Sequence, residues 1–240
     1  MTLEEQIAER YRRVRERVAY ACRRSGRDPA EVTIVGVTKT KPIEDIRRGI
    51  NVGILDLGEN YVQELVEKEE QLKKSDHEIR WHFIGHLQRN KVKSILPFVH
   101  LIHSVDSERL ALEINRHGEK IGRKIPILLQ VNTSGEISKF GCYPGGAIAI
   151  AERIFEMEFL DLQGLMTLAS FTDDSEIVRP MFRLLKDTRN LIRERLGVEL
   201  PHLSMGMTND FDVAVEEGAT IVRVGTAIFG ERLGSEGLLR

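Results

Sequence analysis

The sequence predicts a (β/α)₈ barrel, a closed ring of parallel strands surrounded by helices, with one additional helix at its N-terminus. Eight short apolar segments each precede a helical segment within about 210 residues, a length that fits such a barrel when its loops are short. Strict alternation of strands and helices predicts parallel strands joined by right-handed crossovers.

An open doubly wound sheet is the main alternative. The absence of a Gly-x-Gly-x-x-Gly turn after the first strand weighs against it. No Pro- or Ser-rich linker divides the chain, so residues 1–240 are expected to form a single barrel domain.

The first element is an amphipathic helix, predicted over residues 3–25. Ile7, Tyr11, Val14 and Val18 recur at three- or four-residue steps and draw one apolar stripe. The arginines of this segment lie mostly off the stripe, among glutamates and without an aromatic platform. This pattern favours a solvated face with helical ion pairs over a nucleic-acid surface.

The first strand is predicted over residues 32–39, where β-branched residues suit a strand buried on both faces. Pro42 stops the run because it has no amide hydrogen to donate. Lys39 is thereby expected at the mouth of an apolar sheet, where desolvation would lower its pKa and favour attack on an aldehyde. A solvated lysine that caps the strand is the alternative at this point.

The remaining elements follow from short apolar runs and the amphipathic segments between them. The predicted strands are 53–58, 81–85, 99–104, 125–132, 160–168, 202–204 and 220–225. The predicted helices are 43–50, 59–74, 88–96, 107–121, 145–157, 175–196 and 209–217, with Ser107 expected to cap the helix that it opens.

The bulk composition is that of a soluble globular protein, with 240 residues that are 41% hydrophobic and 30% charged. The net charge of −2 indicates neither nucleic acid nor an anionic membrane as a partner. No apolar stretch is long enough to span a bilayer. The acidic N-terminus is unlike a secretory signal, and Cys22 and Cys142 form no paired motif, so a cytoplasmic protein with reduced thiols is expected.

Polar residues collect where the strands end, and in a barrel these ends converge on one mouth. The segment 204–208 follows the seventh strand, and Gly225-Thr226 follows the eighth. Barrels often bind phosphate through these two loops, and the hydroxyls of Ser204 and Thr226 are expected to complete an uncharged cradle. Two ordinary tight turns with helix caps are the alternative.

A phosphate cradle beside Lys39 indicates pyridoxal 5′-phosphate (PLP) as the cofactor, with its aldehyde condensed on Lys39. Arg223 lies on the eighth strand, which neighbours the first in a closed barrel, and its guanidinium is placed to donate to the pyridine nitrogen. A cation there disfavours protonation of that nitrogen, so the ring would be a weaker electron sink.

Motifs along the whole chain carry a family resemblance. They are Val37-Thr38-Lys39-Thr40-Lys41, Gly58-Glu59-Asn60-Tyr61-Val62-Gln63-Glu64, Trp81-His82-Phe83-Ile84-Gly85-His86-Leu87-Gln88-Arg89-Asn90-Lys91, Gln130-Val131-Asn132, Ser138-Lys139-Phe140-Gly141, Gly164-Leu165-Met166, Ser204-Met205-Gly206-Met207 and 222–230. The chain resembles the pyridoxal phosphate homeostasis protein family, single-barrel relatives of the alanine racemase N-terminal domain.

The resemblance implies a role for particular residues. Lys39 would be the Schiff-base lysine and Arg223 would face the ring nitrogen. Ser204, Gly206, Gly225 and Thr226 would surround the phosphate, and Asn60 and Met166 would line the ring. Thr38 stands where many relatives have serine, and His86 stands where some have proline.

The resemblance also implies a role for the protein, which would hold PLP exchangeably and help to balance cofactor and amino-acid pools. PLP-dependent apoenzymes are then candidate partners. Related racemases use a second base, a tyrosine from a separate C-terminal β domain of a partner subunit, and this sequence ends soon after the eighth strand. Tyr61 and Tyr143 are its only tyrosines in mouth loops. A monomeric carrier without robust turnover is therefore expected, with a weakly active amino-acid racemase as the alternative.

Two other functions have less support in the sequence, and two further lysines have a possible part in cofactor exchange. A zinc hydrolase built on His82 and His86 lacks an evident third ligand. An RNA-binding protein would use the N-terminal arginines and residues 89–93. Lys41 and Lys139 are candidate secondary amines for cofactor exchange, with solvated lysines as the alternative.

Overall fold

A computed structural model describes residues 1–172 and 174–231, and its parallel strands close into one barrel in chain order. The predicted fold is confirmed and the open sheet is excluded, because β8 pairs with β1 as well as with β7. Residues 232–240 of the predicted domain lie outside the described residues. The strands are β1 (Thr33–Val37), β2 (Asp56–Glu59), β3 (Arg80–Phe83), β4 (Leu101–Val105), β5 (Ile125–Gln130), β6 (Leu160–Met166), β7 (His202–Ser204) and β8 (Ile221–Val224).

Helices surround the strands and connect them. They are α1 (Leu3–Arg24), α2 (Ile43–Asn51), α3 (Val62–Leu72), α4 (Val92–Ile95), α5 (Glu108–Ile121), α6 (Ala147–Phe155), α7 (Ser175–Leu196), α8 (Phe211–Glu216) and α9 (Thr226–Phe229). No helix in the described part of the chain is both long enough and apolar enough to cross a membrane.

The predicted N-terminal helix is confirmed and packs against α2, α8 and α9. A reciprocal capping box begins it, since the Thr2 hydroxyl accepts from the Glu5 amide and the Glu5 carboxylate accepts from the Thr2 amide. Its outward arginines form the expected ion pairs, as in the bonds from Arg12 to Glu9 and Glu16. This surface is therefore charge-paired.

Five of the predicted strands, including the first and the sixth, were too long at the mouth end. β1 ends at Val37, which leaves Lys39 in a turn, and β6 ends at Met166. Glu59 was assigned to a helix but is the last residue of β2. The 88–96 helix is a short 3₁₀ turn followed by α4, and Ser107 precedes α5 without capping it, because its hydroxyl donates to Asp106.

The core has two parts. The larger lies between the strands and the helices and buries Trp81, Phe83, Phe182 and Phe211 almost completely. A second, smaller cluster fills the inside of the barrel with side chains from five strands: Val35, Leu101, Leu128, Met166 and Ile221. Each large apolar side chain buried in this way stabilises the fold by about 1.5–3 kcal/mol, so the strand ends form a rigid base for the mouth.

Candidate functional site

Lys39 lies in a tight turn at the mouth. The Lys41 amide donates to the Thr38 carbonyl at 3.0 Å, which closes the turn around Lys39. Thr40 has φ of 62°, and it is the only non-glycine residue with positive φ among the described residues. Such a conformation is strained for a β-branched residue and persists only where neighbouring contacts impose it. The turn therefore holds the half-buried Lys39 in a defined place.

Lys68 of α3 supplies those contacts. Its buried ammonium donates to the Thr38 carbonyl at 2.8 Å, to Glu59 at 2.7 Å and to Glu64 at 2.9 Å. Glu64 in turn accepts from the Thr40 amide at 2.8 Å. Residues on both sides of Lys39 are thus tied to one cation, and we call Lys68, Glu59 and Glu64 the lysine clamp.

Burial raises the pKa of Glu59 in this clamp, against the opposing effects of Lys68 and Thr38. Glu59 is fully buried, and the Thr38 hydroxyl donates to it at 2.5 Å. A carboxyl group in such a place depends on its cationic partner for stability.

Lys41 fastens the same turn to the end of the barrel. Its ammonium donates to the carbonyls of Phe229, Gly230 and Glu231, at 3.2, 2.9 and 2.9 Å. Lys139 donates to Glu136 and to the Ala169 carbonyl, at 2.9 and 2.7 Å. Both ammonium groups are therefore held by protein acceptors, so neither residue is a simple solvated lysine, and their part in cofactor exchange stays a prediction.

The loops after β7 and β8 come together as expected. The Thr226 hydroxyl donates to the Thr208 hydroxyl at 3.2 Å, and the Arg223 amide donates to the Gly206 carbonyl at 3.0 Å. Gly206 has φ of +92°, and a Cβ there would lie 2.5 Å from the Ala214 Cβ and 2.9 Å from the Phe211 Cα. Only glycine fits this close approach of the loop to α8.

Arg223 lies beneath these loops, and it is 3% exposed. It donates to the Ser204 hydroxyl at 2.5 Å and to the Thr167 carbonyl at 2.8 Å. Burial lowers the pKa of Arg223 to about 10, which still leaves the guanidinium charged at neutral pH. β8 pairs with β1, with Arg223 opposite Val35, so this cation and Lys39 belong to adjacent strands of one mouth.

The Ser204 hydroxyl differs from the expectation. It is fully buried and bonded to both Arg223 and His103, the latter at 2.8 Å. The hydroxyl accepts from the donor-only Arg223 and shares a second hydrogen bond with His103, so it is engaged inside the barrel. Ser204 contributes to the mouth through its backbone and by holding Arg223.

The other side of the mouth is an open cavity of about 570 Å³, lined by residues that include Asn60, Ile84, Gly85, Gln130, Phe140 and Leu168. The buried Asn60 Oδ1 has no hydrogen-bond partner among the described residues. Leu168 lines this cavity and packs against the cluster inside the barrel, whereas Met166 is fully buried in that cluster and is not part of the cavity lining.

The arrangement fits the chemical groups of PLP. It offers an amine on a fixed turn, two adjoining loops for an anion, a buried cation on the neighbouring strand and an orphaned acceptor on Asn60. An unpaired buried polar atom is costly, and a ligand that donates a hydrogen bond to it would remove that cost.

Sequence reasoning missed three groups at this site: the lysine clamp, the cavity wall at Leu168 and Phe140, and the partners of Ser204. The spacing of Glu64 and Lys68 by four residues on one helix was the only local signal for the clamp. His82 and His86 do not share a site, since His82 bonds to Asp56 and His103 whereas His86 stacks on Phe140 at 3.9 Å. The zinc-hydrolase alternative thus has no support in the positions of these two rings.

Comparison with known proteins agrees with this geometry. The family model described as alanine racemase, N-terminal domain, matches residues 6–233. The pyridoxal phosphate homeostasis protein of Aquifex aeolicus is 46% identical over 93% of this chain and 97% of its own length. That of Mus musculus is 43% identical over 97% of this chain and 89% of its own length. The barrel is also similar to the solved structure of PipY from Synechococcus elongatus with PLP bound, at a TM-score of 0.82, 30% identity, and coverage of 94% of this chain and 100% of that one.

Proposed function

The chain belongs to the pyridoxal phosphate homeostasis protein family, and from this premise we propose that it binds PLP as a Schiff base on Lys39 and helps to balance intracellular PLP and amino-acid pools. PLP, when bound, supplies an aldehyde that condenses with amines and a ring that withdraws electrons from the carbon attached to them. The residues of the chain then bind, orient and limit that chemistry.

Each group at the mouth has one part in this proposal. Lys39 supplies the amine. The backbone from Ser204 to Gly206, together with Gly225 and Thr226, surrounds the phosphate. Arg223 donates to the ring nitrogen, and Asn60 lines the ring above Met166. The observation that carries the proposal is the strained, doubly tied turn of Lys39, because no stability argument explains fixing a half-buried lysine at a barrel mouth.

The proposal favours a carrier over a catalyst. A permanently charged arginine at the ring nitrogen disfavours its protonation, so the ring stabilises a carbanion less well. Tyr61 and Tyr143, the tyrosines of the mouth loops, are 58% and 75% exposed. A general base must be within hydrogen-bond reach of its proton, and such exposed side chains are poorly fixed for that task.

The test is covalent trapping. Purified protein supplied with PLP and treated with borohydride should carry the reduced adduct on Lys39 by peptide mapping. Lys39→Ala should lose the covalent chromophore, whereas Lys139→Ala, as the matched control, should keep it. An adduct on another lysine, or a protein that stays colourless with PLP, would refute the proposal.

A second measurement separates carrier from racemase. L-alanine or L-serine is incubated with the PLP-loaded protein, and the chirality is followed. Turnover of about 1 per second or faster would be ordinary for an enzyme and would reject the carrier. Much slower or absent turnover supports it.

The proposal includes a cytoplasmic monomer that meets PLP-dependent apoenzymes. Size-exclusion chromatography with light scattering tests the monomer. The transfer of PLP is tested by adding the loaded protein to a PLP-free apoenzyme. The activation is compared with that by an equal concentration of free PLP.

A further inference from the structure

Five side chains form a continuous hydrogen-bonded line through the inside of the barrel. Arg223 bonds to Ser204 at 2.5 Å, Ser204 to His103 Nδ1 at 2.8 Å, His103 Nε2 to His82 Nδ1 at 2.9 Å, and His82 Nε2 to Asp56 at 3.0 Å. Asp56 is the first residue of β2, and Ser204 is the last of β7. The line therefore connects the mouth with the opposite end of the barrel, and we call it the barrel relay.

The two ends of the barrel relay determine where each proton lies. Arg223 can only donate. Burial alone would raise the pKa of Asp56, but hydrogen bonds from Arg80 and His82 outweigh it and hold that pKa below its usual range. Asp56 is thus a carboxylate that can only accept, and Arg80 neutralises it through two bonds, at 2.8 and 2.6 Å.

The two ends lead to an assignment of which nitrogen carries the proton in each histidine ring. His82 Nε2 lies 3.0 Å from the Asp56 carboxylate, which can only accept, and we assign its Nδ1 as the acceptor from His103. His103 then donates from Nε2 and accepts at Nδ1, so the proton of the Ser204 hydroxyl points to His103. The oxygen of that hydroxyl is left to accept from Arg223. Every donor in the line meets an acceptor, and such chains strengthen their own bonds by polarisation.

The surroundings keep His103 neutral. Burial lowers the pKa of this fully buried ring well below its ordinary value, and His82, Arg223, His202 and His100 add to the effect. These four side chains are the titratable or charged groups that act on it from β3, β8, β7 and the segment before β4. A protonated His103 would have no lone pair for the Ser204 proton.

We propose that His103 and His82 are positioning residues that hold Arg223 in place for the ring nitrogen of PLP. The inference rests on the proposed function, because it uses PLP as the ligand of the mouth. Without an acceptor at His103, the Ser204 hydroxyl can turn, and Arg223 loses one of its two anchors. The Thr167 carbonyl alone does not fix a planar, rotatable guanidinium.

The test follows the ring nitrogen itself. Protein loaded with PLP that carries ¹⁵N in the ring is titrated by NMR, for the unaltered chain, His103→Leu and His103→Gln. His103→Leu removes both bonds, and the midpoint of ring-nitrogen protonation should rise by about one pH unit or more, as expected when a close cation moves away. His103→Gln keeps a donor and an acceptor and should stay near the unaltered value. An unchanged midpoint in His103→Leu would overturn the proposal.

Two further measurements keep the test decisive. If His103→Leu does not fold, Asp56→Asn weakens the far end of the relay while keeping an acceptor for His82. It should shift the midpoint in the same direction by a smaller amount, and no shift overturns the proposal. Histidine ¹⁵N spectra of the PLP-free protein should show both rings protonated at Nε2 only. A proton at Nδ1 of either ring would overturn the relay.

The same samples are reduced with borohydride. An adduct on Lys39 with an unmoved ring nitrogen would reject the relay alone. The absence of an adduct from the unaltered chain would reject the proposed function, and the histidine spectra would then decide the relay separately.

Discussion

The two sides of the barrel mouth hold their functional groups by different means. On the β1 side, the lysine clamp fixes the turn of Lys39 with three charged side chains close to the outer helices. On the β7–β8 side, Arg223 bonds to the Ser204 hydroxyl, and that hydroxyl bonds to the His103 ring in the middle of the barrel. The difference is one of charge compensation, because the buried Lys68 has carboxylate partners whereas the equally buried Arg223 is held by uncharged oxygen acceptors.

Breaking the clamp should have the largest effect. Lys68→Met leaves Glu59 buried without its cation, so the free energy of unfolding should fall by about 3–5 kcal/mol. Urea denaturation measures it. Lys73→Met is the matched control, since the exposed Lys73–Glu70 pair should contribute within about 0.5 kcal/mol.

The double variant Lys68→Met with Glu59→Gln sharpens this prediction. It removes the stranded charge, so part of the loss should return. If Lys68→Met alone is as stable as the unaltered chain, the lysine clamp does not stabilise the β1 side of the mouth.

Changing the other side at Gly206 should have a smaller effect on stability and a clear one on binding. Gly206→Ala meets Ala214 and Phe211 and forces φ of +92° on a residue with a Cβ. A strained residue of this kind costs about 1–3 kcal/mol. If the loop binds the phosphate, PLP affinity should also fall about tenfold, which corresponds to 1.4 kcal/mol.

Gly197→Ala is the matched control for this change. Gly197 also has positive φ, at +64°, but a Cβ there meets nothing within 4 Å. It should cost stability without changing the absorbance titration with PLP. Equal affinities for both variants would remove the loop after β7 from the site.

Acidification should destabilise the protein mainly through His103, on the β7–β8 side of the mouth. The folded pKa of His103 lies below its ordinary value near 6.5, so the unfolded chain binds more protons on acidification. The contribution of neutral His103 to the free energy of unfolding is complete above about pH 6.5. It is lost as the pH falls below this, by about 1 kcal/mol over the first pH unit. Burial lowers the pKa of His100 and His202 as well, and they act in the same direction.

Urea denaturation at several pH values between 7 and 5 measures this slope. His103→Gln isolates one ring, and its slope should be smaller than that of the unaltered chain. Glu59 has a raised pKa and acts in the opposite direction, so only the difference between the two proteins is diagnostic. Identical slopes would show that His103 titrates normally.

The sequence predicted the barrel because strand and helix periodicity is local. α7 and β7 coincide with their predicted bounds, whereas strands such as β1 and β6 end earlier than their apolar runs. Thr38 and Thr167, just beyond these two strands, each still donate one backbone hydrogen bond to the neighbouring strand before the chain turns at the mouth. Glu59 was misassigned because a charge normally marks a surface, and its partner Lys68 lies nine residues away.

The candidate site was predictable where a residue's position in its own strand or loop decides its place. Lys39 and Gly206 follow strands, and Arg223 lies near the end of one, and these strand ends must converge in a barrel. The direction of the Ser204 hydroxyl was not predictable, because His103 lies 101 residues away in the chain and only barrel closure brings the two together. The clamp and the relay are both products of tertiary structure.

The bonds from Lys41 to the carbonyls of residues 229–231 join the segment after α9 to the turn that carries Lys39. Tension applied to the backbone there would act through these bonds on the turn of Lys39. For anyone who immobilises this protein or fuses a reporter to it, an attachment that pulls on residues 229–231 would therefore load the turn of Lys39.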